Sequence, residues 1–167
     1  MIVIYTGEGK GKTSACVGQA VRAHGQGLRV FFAQFMKRPG QAGEQAVLAA
    51  LLGDNYLAGG PGFFRHEAQR PAQREAALAV LASANKALEC ADMLVLDEAL
   101  YALGSKLLQE DELKALITAA RAANVHLVLS GRGLPGWLEE KADIVTEMQP
   151  VRHAYQNGQS AVKGIEY

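Results

Sequence analysis

Short apolar runs rich in β-branched and aromatic residues alternate along this chain with longer stretches whose apolar residues recur at helical spacing. That alternation predicts an α/β fold with a largely parallel central sheet flanked by helices. IVIYT (2–6) predicts a strand, and after a glycine-rich stretch KTSACVGQAVRAHG (12–25) predicts a helix that stops at Gly25. RVFFAQF (29–35) reads as a second, buried strand, GEQAVLAALL (43–52) as a helix and NYLAG (55–59) as a short strand before the loop GPGFFRHEAQR. From Pro71 the pattern is helical: Ala77, Leu81, Ala84 and Leu88 share one face, and Pro71 suits a first turn. MLVLDE (93–98) is a continuous apolar run ending in acids, as expected of a central strand that reaches the functional edge of a sheet. QEDELKALITAARAAN (109–124) is a helix with acids in its first turn, where the dipole favours them, and Asn124 as its stop. VHLVLSGRG (125–133) gives a strand and loop, ADIVTEM (142–148) the last strand, and the closing PVRHAYQNGQSAVKGIEY reads as irregular but folded. No repeat, linker or low-complexity tract interrupts the pattern, so residues 1–167 read as a single domain.

Composition narrows the function classes. The 167 residues are 49% hydrophobic, enough for a sizeable core, and basic and acidic residues balance at 17 each. A balanced charge argues against a general nucleic-acid binder while leaving room for a local anion site. No apolar run is long enough to cross a membrane, and no basic-then-apolar leader opens the chain. Cys16 and Cys90 lack metal-type spacing and read as reduced, buried residues, which points to the cytoplasm.

The stretch between the first strand and the first helix carries the clearest chemistry. Gly7, Gly9 and Gly11 let main-chain N–H groups turn toward one point, and the helix that follows adds its positive end. Lys12 can reach phosphate oxygens, Thr13 can ligate Mg²⁺ through its hydroxyl, and Lys10 and Ser14 add a cation and a hydroxyl. The loop departs from the common G-x-x-x-x-G-K-[ST] pattern, because Thr6 stands where that pattern has glycine. Asp97 and Glu98 close a central strand, where one carboxylate can hold Mg²⁺ directly or through water; the sequence leaves open which one. Glu98 could instead orient a water, as an ATPase requires. Arg132, in SGRG, follows another strand and can hold phosphate bidentately, with Lys37 and Arg38 weaker candidates. His24, His66, His126 and His153 share no metal spacing and read as structural. Phe63 and Phe64 either fold under their loop as core or line a pocket for a large flat ligand.

Together these segments resemble the phosphate-loop ATP:corrinoid adenosyltransferases, the CobA/BtuR family. The family's loop has the form T-G-x-G-K-G-K-T-[ST], and TGEGKGKTS runs here from Thr6 to Ser14. The likeness continues through AVRAHGQGLRV (20–30), QFMK (34–37), Gly43-Glu44, VLDEALY (95–101), SGRG (130–133), ADIVTEMQPVRHAY (142–155) and GIEY (164–167), covering nearly the whole chain in order. The resemblance implies a RecA-like P-loop domain, a need for Mg²⁺ or Mn²⁺, and transfer of the 5′-deoxyadenosyl group of ATP to the Co(I) of a cobalamin or other corrinoid, with triphosphate released. The loop Thr6, Gly7, Glu8, Gly9, Lys10, Gly11, Lys12, Thr13 and Ser14 would then bind ATP. Lys12, Thr13 and Arg132 would stabilise the leaving triphosphate, and Thr13, Asp97 and Glu98 are the metal candidates. Phe63 falls where the family's G-F-x-W motif begins, which implies contact with the corrin by Phe63 and Phe64; Arg65 occupies the tryptophan position. Many members carry a segment before the first strand that helps cover the site, whereas this sequence opens at the strand, and a partner subunit could compensate. The resemblance further implies a homodimer and an electron-donating flavoprotein reductase, with no nucleic-acid or membrane partner. A P-loop ATPase or kinase, and a non-catalytic ATP- or corrinoid-binding relative, are the competing readings.

Overall fold

The apolar runs assemble as parallel strands because each is linked to the next through a helix. The computed structural model describes residues 1–152, 158 and 160–166. The remainder of the segment read as irregular but folded, at 153–157, 159 and 167, lies outside the described residues. Chain order is β1 (Ile2–Thr6), α1 (Lys12–Gly25), β2 (Val30–Phe35), α2 (Gly43–Leu52), β3 (Tyr56–Gly59), α3 (Arg70–Ala87), β4 (Met93–Asp97), α4 (Ala99–Gly104), α5 (Glu110–Ala122), β5 (His126–Ser130), α6 (Gly136–Glu139) and β6 (Ile144–Glu147). The six strands form one sheet in the order β3-β2-β4-β5-β1-β6, and every pairing is parallel. β2 and β4 are buried on both faces, while at the edges β3 is half-buried and β6 exposed. This is the expected α/β architecture, RecA-like in that β5 lies between the strand feeding the glycine loop and the strand ending in acids.

Alternation along the strands sorts the core into two layers. Ile2, Ile4, Phe31, Ala33, Leu94, Leu96, Leu127 and Leu129 face α3, α4 and α5, meeting Ala77, Val80, Leu100, Leu113 and Leu116. Val30, Phe32, Met93, Val95 and Val128 face the other way, toward Cys16 and Ala20 of α1 and Leu48 of α2. Strand residues two apart share a face. Gln34, Asp97 and Ser130, each two positions beyond a member of the second layer, are thereby aimed at the α1 side. The sheet's own period thus carries polar groups to the start of α1.

Two helices escape the periodicity. Ala99–Gly104 follows β4 after a single residue, inside a run whose apolar character hardly changes, and Gly136–Glu139 is only one turn. The stop at Asn124 is as expected: α5 gives way through Ala123, and Asn124 takes the left-handed conformation at φ 57.

Candidate active site

The glycine loop joins β1 to α1 at the carboxyl edge of the sheet, the edge at which open α/β sheets bind ligands. Its glycines are required by a close neighbour. Gly9 N–H donates to Met148 O (2.6 Å) and Met148 N–H donates to Thr6 O (2.8 Å), so the chain leaving β6 lies directly against the loop. A Cβ on Gly7 or Gly9 would stand 2.5 or 2.6 Å from that same carbonyl oxygen. Gly11, at φ 117, turns the chain into the helix, and Lys12 is the first helical residue. The Lys12 ammonium curls back over the loop, donating to Gly7 O (2.6 Å) and Gly9 O (2.7 Å). Burial, and then the positive charge of Arg132, lower its pKa from the ordinary lysine value.

Thr13 and Asp97 meet beneath the loop. Asp97 is fully buried. Its carboxylate accepts from Thr13 Oγ1 at 3.1 Å to each oxygen, from Ser130 Oγ at 2.6 Å and from Gln34 Nε2 at 3.1 Å. Lys37 Nζ stands 3.6 Å away. Glu98 leaves the strand in the left-handed conformation at φ 63, its N–H donating to Ser130 Oγ (3.0 Å), and its side chain lines the cleft above. Burial, reinforced by the neighbouring Asp97 charge, raises its pKa above the usual carboxylate value. The two acids differ in position: Asp97 touches Thr13 from the strand, and Glu98 sits beyond the strand end.

A second polar cluster adjoins the first. Lys37 pairs with Glu44 (2.9 Å), which also accepts from Gln34 Nε2 (3.1 Å). Gln34 Oε1 in turn accepts from Tyr56 Oη (2.8 Å) and Gln45 Nε2 (3.3 Å). Burial opposes ionisation of Glu44, but the hydrogen bond and charge of Lys37 outweigh it, and the pKa falls below the usual value. Sequence reasoning singled out Lys37 only weakly and gave no role to Gln34, Glu44, Gln45, Tyr56 or Ser130. One signal was available, since a glutamine inside the otherwise apolar VFFAQF run must find partners when buried.

Above these groups lies a cleft of about 880 Å³, lined by Glu8 to Ser14, Lys37, Glu44, Phe63, Glu98 and Arg132, and by Ala161 and Gly164 to Glu166 of the closing segment. Arg132 reaches it from the end of β5 and pairs with Glu8 across the loop, Nε to Oε2, at 3.1 Å. The two phenylalanines part company. Phe63 is 44% exposed at the cleft, whereas Phe64 packs against the core with the Arg70 guanidinium 4.8 Å from its ring centroid. Among the described residues no three His, Cys, Asp or Glu side chains converge as a self-sufficient metal cage. The donor set of one hydroxyl, Thr13, and one carboxylate, Asp97, suits Mg²⁺, which keeps its waters and takes phosphate oxygens for the rest.

The family model for ATP:corrinoid adenosyltransferase BtuR/CobO/CobP matches residues 1–167. The corrinoid adenosyltransferase of Pseudomonas aeruginosa is 37% identical over 172 residues, covering 100% of this chain and 83% of that protein. Corrinoid adenosyltransferase CobA of Salmonella typhimurium is 34% identical, covering 100% and 85%. Among solved structures, AMPPCP-bound DnaA from Aquifex aeolicus aligns at TM-score 0.48 with 15% identity over 88% of this chain, which spans only 39% of the DnaA chain. With the family's loop intact over the glycine turn and the match running from the first residue to the last, this chain belongs to the ATP:corrinoid adenosyltransferase family.

Proposed function

We propose that the chain transfers the 5′-deoxyadenosyl group of ATP to the cobalt of a reduced corrinoid, with the loop Thr6–Ser14 holding the triphosphate as leaving group. The Co(I) electron pair attacks the ribose C5′, a cobalt–carbon bond forms, and the C5′–O bond breaks with its electrons passing to triphosphate. The observation that carries this reading is the composition of one cleft: a phosphate loop and its cations at one end, and the exposed ring of Phe63 at its mouth.

Charge builds on the triphosphate as the C5′–O bond stretches. Donors fixed in advance hold it more tightly in the transition state than in the ground state, which is the condition for acceleration. Lys12 already lies over the loop, Lys10 and Arg132 line the same cleft, and the start of α1 adds backbone donors. Thr13 and Asp97 would hold Mg²⁺, whose charge would neutralise the phosphates. Glu98 stands apart from the Thr13 contact and would meet the metal's water shell or the nucleotide. Phe63 would supply the apolar face for the corrin. No protein nucleophile is required, because the substrate's cobalt provides it.

The family likeness also brings a homodimer, a flavoprotein electron donor and a cytoplasmic setting into this reading; sedimentation and reductase-coupled assays test the first two. The decisive experiment is anaerobic incubation with ATP, Mg²⁺ and chemically reduced cobalamin. A light-sensitive alkylcobalamin spectrum with stoichiometric triphosphate is expected. ADP or orthophosphate without a cobalt–carbon bond would instead support a P-loop hydrolase or kinase.

A further inference from the structure

Phe63 stands in the cleft while its chain neighbours are tied down elsewhere. Gly60 passes so close to the residue that follows β2 that a Cβ there would lie 2.4 Å from Met36 Cα. On the far side the half-buried Phe64 packs against the core, and Gln69 Oε1 accepts from the N–H groups of both Arg65 (2.9 Å) and His66 (3.1 Å). Between these anchors Gly62, at φ 108, has conformational freedom that no other residue type would have. The peptide joining Gly62 to Phe63 is the hinge about which the ring would swing. One side chain fixes it: Gln73 Nε2 donates to Gly62 O at 2.6 Å.

Gln73 is an unusual residue for its place. It is 2% exposed, on the α3 face that otherwise buries Ala77, Val80, Leu81 and Ala84. Its own Oε1 is buried with no partner among the described residues. Turning the amide over would set that oxygen against the Gly62 carbonyl, acceptor to acceptor, so the carbonyl dictates the orientation. A methionine or leucine would fill the space without burying an unpartnered oxygen, so packing alone does not account for a glutamine.

We infer that Gln73 is a positioning residue for corrinoid binding: it locks the Gly62–Phe63 peptide so that the Phe63 ring is presented to the cleft in advance of the substrate. The inference rests on the proposed contact between Phe63 and the corrin. A ring held in its bound orientation loses less freedom on binding, which favours affinity for that substrate and leaves ATP, at the other end of the cleft, largely unaffected.

Gln73→Met removes the donor and keeps the length, and Gln73→Asn, which shortens the reach, serves as the second variant should methionine impair folding. Steady-state assays varying reduced cobalamin and ATP separately are paired with titration of cob(II)alamin, which binds without turnover. The KM for cobalamin and the Kd for cob(II)alamin are expected to rise about tenfold, the worth of one hydrogen bond, with the KM for ATP changed by less than about twofold. In a Phe63→Ala background Gln73→Met is expected to add nothing further, because both changes act through one ring. Equal rises in both KM values, additive effects in the double variant, or unchanged cobalamin constants in both Gln73 variants would overturn the role given to Gln73. If Phe63→Ala itself leaves the cobalamin constants unchanged, the corrin contact fails and the positioning role fails with it. A parent chain that forms no alkylcobalamin refutes the proposed reaction, while the cob(II)alamin titration still decides the role of Gln73.

Discussion

Replacing Gly9 with alanine probes the contact on which the phosphate loop is built. The new Cβ would stand 2.6 Å from Met148 O, 2.8 Å from Met148 C and 2.9 Å from Gln149 C. All three are backbone atoms, so no rotamer change relieves the overlap. Either the chain beyond β6 retreats, breaking the 2.6 Å bond from Gly9 N–H to Met148 O, or the loop itself moves. Overpacking of this kind costs about 1–3 kcal/mol, and the lost hydrogen bond adds about 1 kcal/mol. For a chain of this size the sum corresponds to a fall in Tm of about 5–15 °C. Gly18→Ala is the matched control: Gly18 lies within α1, nothing stands within 4 Å of the added methyl, and helix propensity favours alanine. That variant is expected to gain about 1 kcal/mol. Calorimetry of both, with ATP titrated into each, separates loop damage from a general effect of adding a methyl group. Should Gly9→Ala keep the parental Tm and ATP affinity, the claim that Met148 dictates the loop's glycines is wrong.

Lys12→Ala is expected to lower adenosyl transfer by about 10²–10³-fold or more, measured as alkylcobalamin formed under reducing conditions, because in the proposed reaction it removes a donor to the developing charge. Asp97→Asn sets an amide among the buried donors of Thr13, Ser130 and Gln34, while Lys37 keeps its partner Glu44 at 2.9 Å; a loss of about 1–3 kcal/mol in denaturant unfolding, from buried donors left with a poorer acceptor, and of Mg²⁺-dependent ATP binding is expected. Saturating MgATP, at about 100 times its Kd, is expected to stabilise the fold by about 2.7 kcal/mol, and a chelator to remove most of the gain. Away from the site, Arg74 Nη1 holds Glu112 at 2.7 Å, and that hydrogen bond depresses the Glu112 pKa below its ordinary 4.5. Because the folded-state value is the lower one, the pair's contribution is present above pH 4.5 and disappears as pH falls through the depressed value. The Tm difference between the parent and Glu112→Gln should therefore close on acidification.

Much of this site is local, and to that extent it could be read from the sequence. The strand–loop–helix around Lys12 is continuous in the chain, and so are the acids closing MLVLDE. What stays hidden depends on contacts between distant segments. Nothing in TGEGKGKT announces that Met148 lies against Gly7 and Gly9, and the Gln34 network joins β2, α2 and β3 through side chains whose spacing has no motif. The roles of Asp97 and Glu98 were open because a run of apolar residues ending in DE does not mark where the strand stops. It stops at Asp97, and the left-handed turn at Glu98 breaks the alternation that would have set the two acids on opposite faces. α4 was missed for the same reason, since one turning residue separates it from β4 with no glycine or proline to mark the change.

The left-handed turns at Met36 and Glu98, which end neighbouring strands β2 and β4 at the cleft, carry a consequence for how this chain can be improved. An ordinary side chain in that conformation costs about 1–2 kcal/mol that glycine would recover. A screen that rewards heat resistance alone should therefore enrich glycine at position 98; with the role proposed for Glu98, activity would then decline, and a screen for turnover would restore glutamate. Under the role proposed for Glu98, durability and catalysis would rank the alternatives in opposite orders, so a library scored on a single trait would mislead about the other.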